Sequence, residues 1–351
     1  MMIASLIILT FILTMLDIQA FSTYSHHKEI IVSSQKKNDH HAPPIRRTPN
    51  IPLFSTAQQE SAAADVRNNS SSSTPIQLSM IEYTASSSSD TTTHPPILFL
   101  HGLLGSKRNF NSLATTLSHL LVDQNRQIVG MDLRNHGESP VGETMSYDIM
   151  AQDVIHTLDQ HNLDKIVVIG HSMGGKVAAS LALLYPERIE GLVVLDMAPA
   201  VYDGDCAAWS AVRDIVQNLA TQVDMDSCQT KRDVDLQLRS ILPDPALRAF
   251  VLTNVNTSSK DSIDWSIPMS TLHQQLSTLA GFLEDDTLEK YQGDAYFIAG
   301  GQSKFIRHVH LDPIQKYFPN HMITTIRGAG HWLHAEAPDD VLALLVKYLD
   351  R

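Results

Sequence analysis

Cysteine is nearly absent from this chain. Among 351 residues only Cys206 and Cys228 carry thiols, and no CxxC or Cys/His cluster surrounds either. A disulfide framework and a thiolate zinc site are therefore excluded, and one bridge between the two is the single covalent option left open. Positive charge is in short supply as well, with 26 Lys and Arg against 38 Asp and Glu for a net charge of −12. Proteins that follow a phosphate backbone need clustered cations, which argues against nucleic acid as a partner. Long apolar runs are missing too. The stretch at residues 3–16 is broken by Ser5, Thr10 and Thr14 and is too short to cross a bilayer comfortably. Internal repeats are also lacking. What is present is ordinary globular composition, 43% hydrophobic and 18% charged, enough to build a large core. One domain with extensions is the economical reading, since a single large sheet with its helices takes about 250 residues.

Residues 3–16 have the length of the apolar centre of a secretory signal, and Ala20 supplies a small residue for cleavage, although Met1 and Met2 bring no positive charge. The expectation is a cleavable signal over residues 1–20, with a membrane anchor extended to Ile18 as the alternative; membrane contact is then confined to this segment. Residues 21–73 follow with Lys28, Lys36, Lys37, Arg46 and Arg47, many Ser and Thr, and no sustained hydrophobic period. Such a stretch buries too little apolar surface to fold alone. The Ala20-Phe21 junction ahead of a Ser-rich, mildly basic segment resembles the two-part leaders of algal plastids that have extra membranes. Glu29, Asp39, Glu60 and Asp65 dilute that signature, so plain secretion and mitochondrial import stay open. Asn68 and Asn256 begin glycosylation triplets that matter only if the chain meets the lumenal machinery.

The folded domain is expected to start near Thr74 and run to residue 351. Residues 76–83 alternate apolar and polar side chains as a half-buried strand does. Beyond Pro96, short β-branched runs at 97–100, 127–131, 165–169 and 191–195 alternate with helix-like stretches at 111–122, 150–161 and 176–185. That alternation predicts an α/β class with a mostly parallel sheet covered on both faces. From about residue 200 to 293 the alternation lapses into helical stretches at 207–219, 231–241 and 271–283, which read as a helical cap inserted between strands. Strands at 295–299 and 322–326 and a helix at 341–349 close the domain.

The sharpest chemical signal is Gly170-His171-Ser172-Met173-Gly174, which follows an apolar strand directly and precedes an Ala-rich helix. A serine hydroxyl is a poor nucleophile unless a base takes its proton and donors receive the oxyanion it creates. A strand that runs into GxSxG provides the strained, exposed turn that such a serine needs. Ser172 is thus the expected nucleophile. His101-Gly102-Leu103 ends the strand at 97–100, where the second oxyanion donor belongs. The donors are expected to be the backbone N–H groups of Leu103 and Met173. His331, in Gly328-Ala329-Gly330-His331-Trp332 after the last strand, is the expected base. His101 is read as a loop-fixing residue, His136 as one that packs a loop, and His308, His310 and His334 as solvated. The acid is less conventional. The loop after 295–299 reads Gly300-Gly301-Gln302-Ser303-Lys304 and holds no carboxylate. Ser303 stands about where Asp is usual, Asp294 lies at the wrong end of its strand, and Asp312 opens a helix too far along. Catalytic groups gather at the C-terminal ends of parallel strands, which favours Asp196 at the tip of 192–196, with Asp264 as a distant option.

Residues 101–111, 132–139, 145–150, 170–176 and 328–334 together resemble the alpha/beta hydrolase domain-containing protein 11 group and its small bacterial esterase relatives. The resemblance runs from about Ile76 to the C-terminus. It implies the α/β-hydrolase fold, no cofactor or metal, a small-molecule ester or lipid-type acyl substrate, and an acid at the position of Asp196. Thioesters, lipids and meta-cleavage diketones are within reach of the same residues. The rival class is a ligand-binding or protein-protecting module that keeps the triad and turns over slowly.

Overall fold

The computed structural model describes residues 74–83, 94–202, 206–257, 263–283, 285 and 287–351, together with the backbone of 31–33. The expected signal at 1–20 and nearly all of the segment at 21–73 lie outside the described residues.

Parallel strands buried on both faces read as continuous apolar runs, and this sheet is built from such runs. Strand β1 (Ile31–Ser33) contributes backbone pairing, and β2 (Met80–Glu82) follows. Strands β3 (Ile97–Leu100), β4 (Ile128–Met131), β5 (Ile166–His171) and β6 (Ile189–Leu195) form the centre. A two-residue ribbon, β7 (Val255–Asn256) with β8 (Asp264–Trp265), stands apart from it. Strands β9 (Ala295–Gly300) and β10 (His321–Ile326) complete the sheet, whose order is β1-β10-β9-β6-β5-β3-β4-β2. The six inner strands are parallel, and the two edge strands β1 and β2 are antiparallel to their neighbours. Pairing of β1 differs from the sequence expectation of an unstructured 21–73. The unpaired N–H and C=O groups along β10 give even a three-residue segment a ladder to join.

Side chains alternate across the sheet. Leu98, Leu100, Val168 and Val194 belong to one core, Ile97, Phe99, Val167 and Val193 to the other. Helices α1 (Asn111–Leu120), α2 (Tyr147–Gln160) and α3 (Met173–Leu184) fill the crossovers. Between β6 and β9 the chain forms α4 (Ala207–Gln222), α5 (Lys231–Ile241), α6 (Pro245–Leu252), the β7–β8 ribbon, α7 (Met269–Gln274) and α8 (Leu276–Ala280). Short α9 (Leu311–Tyr317), α10 (Leu333–Glu336) and then α11 (Pro338–Leu349) end the chain.

Two departures from the sequence reading have physical causes. The helix expected over 271–283 is divided at Gln275, whose side chain accepts the N–H of Met145 at 3.2 Å. It stops at Ala280 because the carbonyls of residues 279–281 are bonded by side chains and backbone from elsewhere. The ribbon β7–β8 went unanticipated because two-residue strands show no period. Cys206 and Cys228 are both free thiols, so no bridge joins them.

Candidate active site

Strand β5 is where the order of the sheet reverses, with β3 on one side and β6 on the other. Ligand crevices form outside strand ends at such points. The chain leaves β5 at His171 and enters α3 at Met173, so one residue makes the turn. Ser172 has φ 54° and ψ −119°, a left-handed conformation that a side-chain-bearing residue adopts only under strain. The glycines around it are dictated by close approach. A Cβ on Gly170 would lie 2.1 Å from the Gly174 carbonyl oxygen, and one on Gly174 would lie 2.4 Å from that of Leu100.

His331 reaches this turn from the loop between β10 and α10. Its Nε2 lies 3.0 Å from Ser172 Oγ and its Nδ1 lies 2.8 Å from Asp196 Oδ2. A carboxylate only accepts, so Nδ1 carries the ring proton and Nε2 presents its lone pair to the serine hydroxyl. Asp196 is fully buried just past β6 and is itself in a positive-φ conformation. It accepts the Gly300 N–H at 2.9 Å on Oδ1 and a short hydrogen bond from the Ser303 hydroxyl on Oδ2. Ser303 thus occupies the loop where a carboxylate was sought and donates to the carboxylate that stands at the neighbouring strand.

The remaining expected positions are at hand. Gly102 packs on the turn, since a Cβ there would lie 3.1 Å from Ser172 Cβ, and Leu103 follows it. Met173 is the first residue of α3, so its N–H has no helical acceptor. Neither N–H donates to another described residue. Together the groups can activate a hydroxyl and receive an oxyanion.

Sequence reasoning missed several supports. His171 donates from Nε2 to the backbone carbonyl of His331 at 2.9 Å, which ties the histidine loop to the nucleophile strand. Phe305 stacks on the His331 ring with centroids 4.1 Å apart. Glu336 accepts the N–H groups of Gly330 at 2.6 Å and Trp332 at 3.2 Å, closing the loop from its other side. Only His171 had a signal, its place inside the motif.

Two histidines read as solvated are not. His334 is packed between His171 and Phe110, with centroids 4.4 and 5.1 Å away, and its Nδ1 is buried without a partner. Burial pushes its pKa down to about 3. His310 is buried against Tyr202, and its Nδ1 accepts the N–H of Arg307 at 3.1 Å. Both lie on short helical turns whose inward faces are set by tertiary packing. His101 and His136 fix loops as expected. His101 Nε2 accepts the Leu133 N–H at 3.0 Å, and His136 Nε2 accepts the Leu104 N–H at 3.1 Å. Burial lowers both pKa values, that of His136 to about 3, so each stays neutral and able to accept.

A family model described as alpha/beta hydrolase fold matches residues 95–338. The chain belongs to the α/β-hydrolase fold family. Within it the chain falls in an ABHD11-like group. It is 35% identical to a Danio rerio protein named sn-1-specific diacylglycerol lipase ABHD11, over 72% of this chain and 78% of that one. It is 34% identical to Esterase YbfF of Escherichia coli, over 76% of this chain and 97% of the relative. Among solved structures, one titled Marine microorganism esterase superposes with a TM-score of 0.71 at 29% identity, covering 78% of this chain and all of that one (100%).

In this hydrolase two further segments that carried the resemblance, 101–111 and 132–139, are fixed by buried charges. Lys107 is buried and bridges Asp132 at 2.5 Å and Glu138 at 2.9 Å. Arg134 makes a two-pronged pair with Asp153 at 2.6 and 2.8 Å, both side chains buried. A paired, hydrogen-bonded charge of this kind fixes geometry more than it adds stability.

Proposed function

We propose that this carboxylic ester hydrolase cleaves lipid-type acyl esters through an acyl-enzyme on Ser172, with His331 as base, Asp196 as orienting acid, and the N–H groups of Leu103 and Met173 as oxyanion donors. The observation that carries the reading is the unbroken hydrogen-bonded chain Ser172–His331–Asp196 at 3.0 and 2.8 Å. In it His331 takes the hydroxyl proton as Ser172 Oγ bonds to the acyl carbon, and returns that proton to the departing alcohol. Water, deprotonated by the same imidazole, then releases the carboxylate. A lipid-type ester is favoured by relatives named as diacylglycerol lipases from Danio rerio and Mus musculus. The helices between β6 and β9 act as a cap over the site in this reading. Residues 1–20 act as a secretory signal in this reading, and microscopy of a leader fusion distinguishes secretion from onward delivery to a complex plastid and from mitochondrial import.

Ser172→Ala is expected to abolish p-nitrophenyl acetate hydrolysis and fluorophosphonate labelling. Turnover comparable to the unmutated protein would overturn the nucleophile assignment. Acyl-chain and thioester screens on protein starting at Thr74 define the substrate.

A further inference from the structure

Helix α3 carries one charged side chain, Lys176, and the chemistry above leaves it unused. It is 2% exposed. An ammonium removed from water is costly unless something replaces its hydration. Here the replacement is a cage of backbone oxygens and rings. Nζ donates to the carbonyls of Ala280 at 3.0 Å and Leu279 at 3.4 Å and makes a short bond to that of Gly281. The faces of Tyr147 and Tyr202 lie 5.2 and 4.8 Å away.

Those carbonyls end α8, the last inserted helix before the chain returns to the sheet. Two other elements hold the same spot. The Tyr147 hydroxyl, on α2, donates to the Leu279 carbonyl at 2.7 Å, and the Tyr202 N–H donates to that of Ala280 at 2.8 Å. Tyr202 continues the connection, since its hydroxyl donates to the Phe305 carbonyl at 2.6 Å, and Phe305 stacks on His331. Phe282 and Leu283, directly beyond the caged carbonyls, line a cavity of about 780 Å³ with Pro199, Ala200 and Tyr317. Lys176 is therefore joined to Ser172 through its own helix and to His331 through Tyr202 and Phe305.

We propose that Lys176 is a positioning residue that fixes the end of the inserted helices against the nucleophile helix, and so sets how the enzyme holds the part of an ester that extends beyond its scissile bond. This rests on the ester-hydrolase reading above. In this proposal a long acyl chain reaches the cavity lined by Phe282 and Leu283 and a small acetate ester does not.

The anchor also has a pH signature. The groups facing Nζ are Tyr147 and Tyr202, both pushed by burial to stay neutral, the Cys206 thiol, and His310, which burial keeps neutral. Burial lowers the Lys176 pKa from 10.5 to about 7. Between those values an undocked Lys176, returned to water, holds its proton more fully than the docked one, whose amine keeps two N–H donors for the carbonyl cage after the proton leaves. Docking therefore tightens as pH rises through that window.

Hydrogen exchange on Ser172→Ala protein, with and without Lys176→Met, reads the anchor without catalysis. With Lys176 present, amide protection over residues 276–283, corrected for intrinsic exchange, should rise about tenfold or more between pH 7 and 9, and with Met it should stay flat. In the catalytically intact background Lys176→Met should raise the ratio of KM for p-nitrophenyl dodecanoate to KM for the acetate about tenfold, a difference of about 1.4 kcal/mol in binding. Protection that is independent of pH in the Lys176 protein overturns the proposal, as does an equal change in KM for both esters. A catalytically active Ser172→Ala would instead sink the hydrolase reading and leave the exchange result standing.

Discussion

At the scale of single residues, the unusual member of the proposed triad is its acid. Asp196 holds the imidazole of His331 in one tautomer and is itself held by Gly300 and Ser303. Asp196→Asn keeps the shape and removes the charge that stabilises the imidazolium, so kcat should fall by about 10⁴-fold. Ser303→Ala removes one donor and leaves the carboxylate, so a smaller loss of about 10- to 150-fold is expected from a bond worth about 1.5–3 kcal/mol. Steady-state rates on one ester check both, and near-normal turnover in Asp196→Asn would move the role to another group. Ser172, His331 and Asp196 could all be placed from their positions relative to strands. His171, Glu336 and Phe305 could not, because each supports the site through a backbone atom or a ring face whose location depends on chain segments far away in sequence.

At the scale of elements, the turn at Ser172 is a junction of strand β5, helix α3 and the end of β3, packed too closely for any side chain at its glycines. Gly174→Ala would force a methyl group to within 2.4 Å of the Leu100 carbonyl oxygen, a backbone atom that cannot swing away. Overpacking of this kind costs about 1–3 kcal/mol, which for a domain of this size lowers Tm by roughly 2–10 °C. Thermal unfolding followed by circular dichroism gives the answer, and an unchanged Tm would mean that α3 moves away freely. The long elements were legible because their apolar periods are unambiguous, as in α5 at Lys231–Ile241 and β3 at Ile97–Leu100. The division of α7 from α8 was not, since the sequence at 271–283 keeps a helical period through the break. The break falls at Gln275, whose side chain accepts the Met145 N–H, and α8 then ends where Lys176, Tyr147 and Tyr202 compete for the carbonyls of residues 279–281.

At the scale of the whole molecule, buried histidines dominate the response to acid. His101, His136, His171 and His334 all have pKa values lowered by burial, those of His136 and His334 to about 3. Each is neutral when folded and free to take a proton when unfolded. Below about pH 6.5 the unfolded state therefore binds more protons, and stability falls as pH drops. Each histidine contributes a slope of up to about 1.4 kcal/mol per pH unit. Urea midpoints measured from pH 7 to pH 5, above the carboxylate range, should fall steadily, and a constant midpoint would show that these rings titrate normally in the folded protein. Lys176 works in the same sense at higher pH, its lowered pKa adding stability between about 7 and 10.5.

The sequence by itself determined the parallel sheet, the tight turn at Ser172 and the place of His331 after the last strand, because these rest on local rules. Apolar period reports burial, glycines report close approach, and a GxSxG between strand and helix leaves the serine one place to stand. The tertiary structure decided the rest. It brought Ser303 and Asp196 together from loops 107 positions apart in the chain, buried His310 and the Nδ1 of His334, and caged Lys176 beneath the inserted helices. Those outcomes depend on which strand tips and helix ends become neighbours, and that is fixed by the order of strands in the sheet, which no local period records.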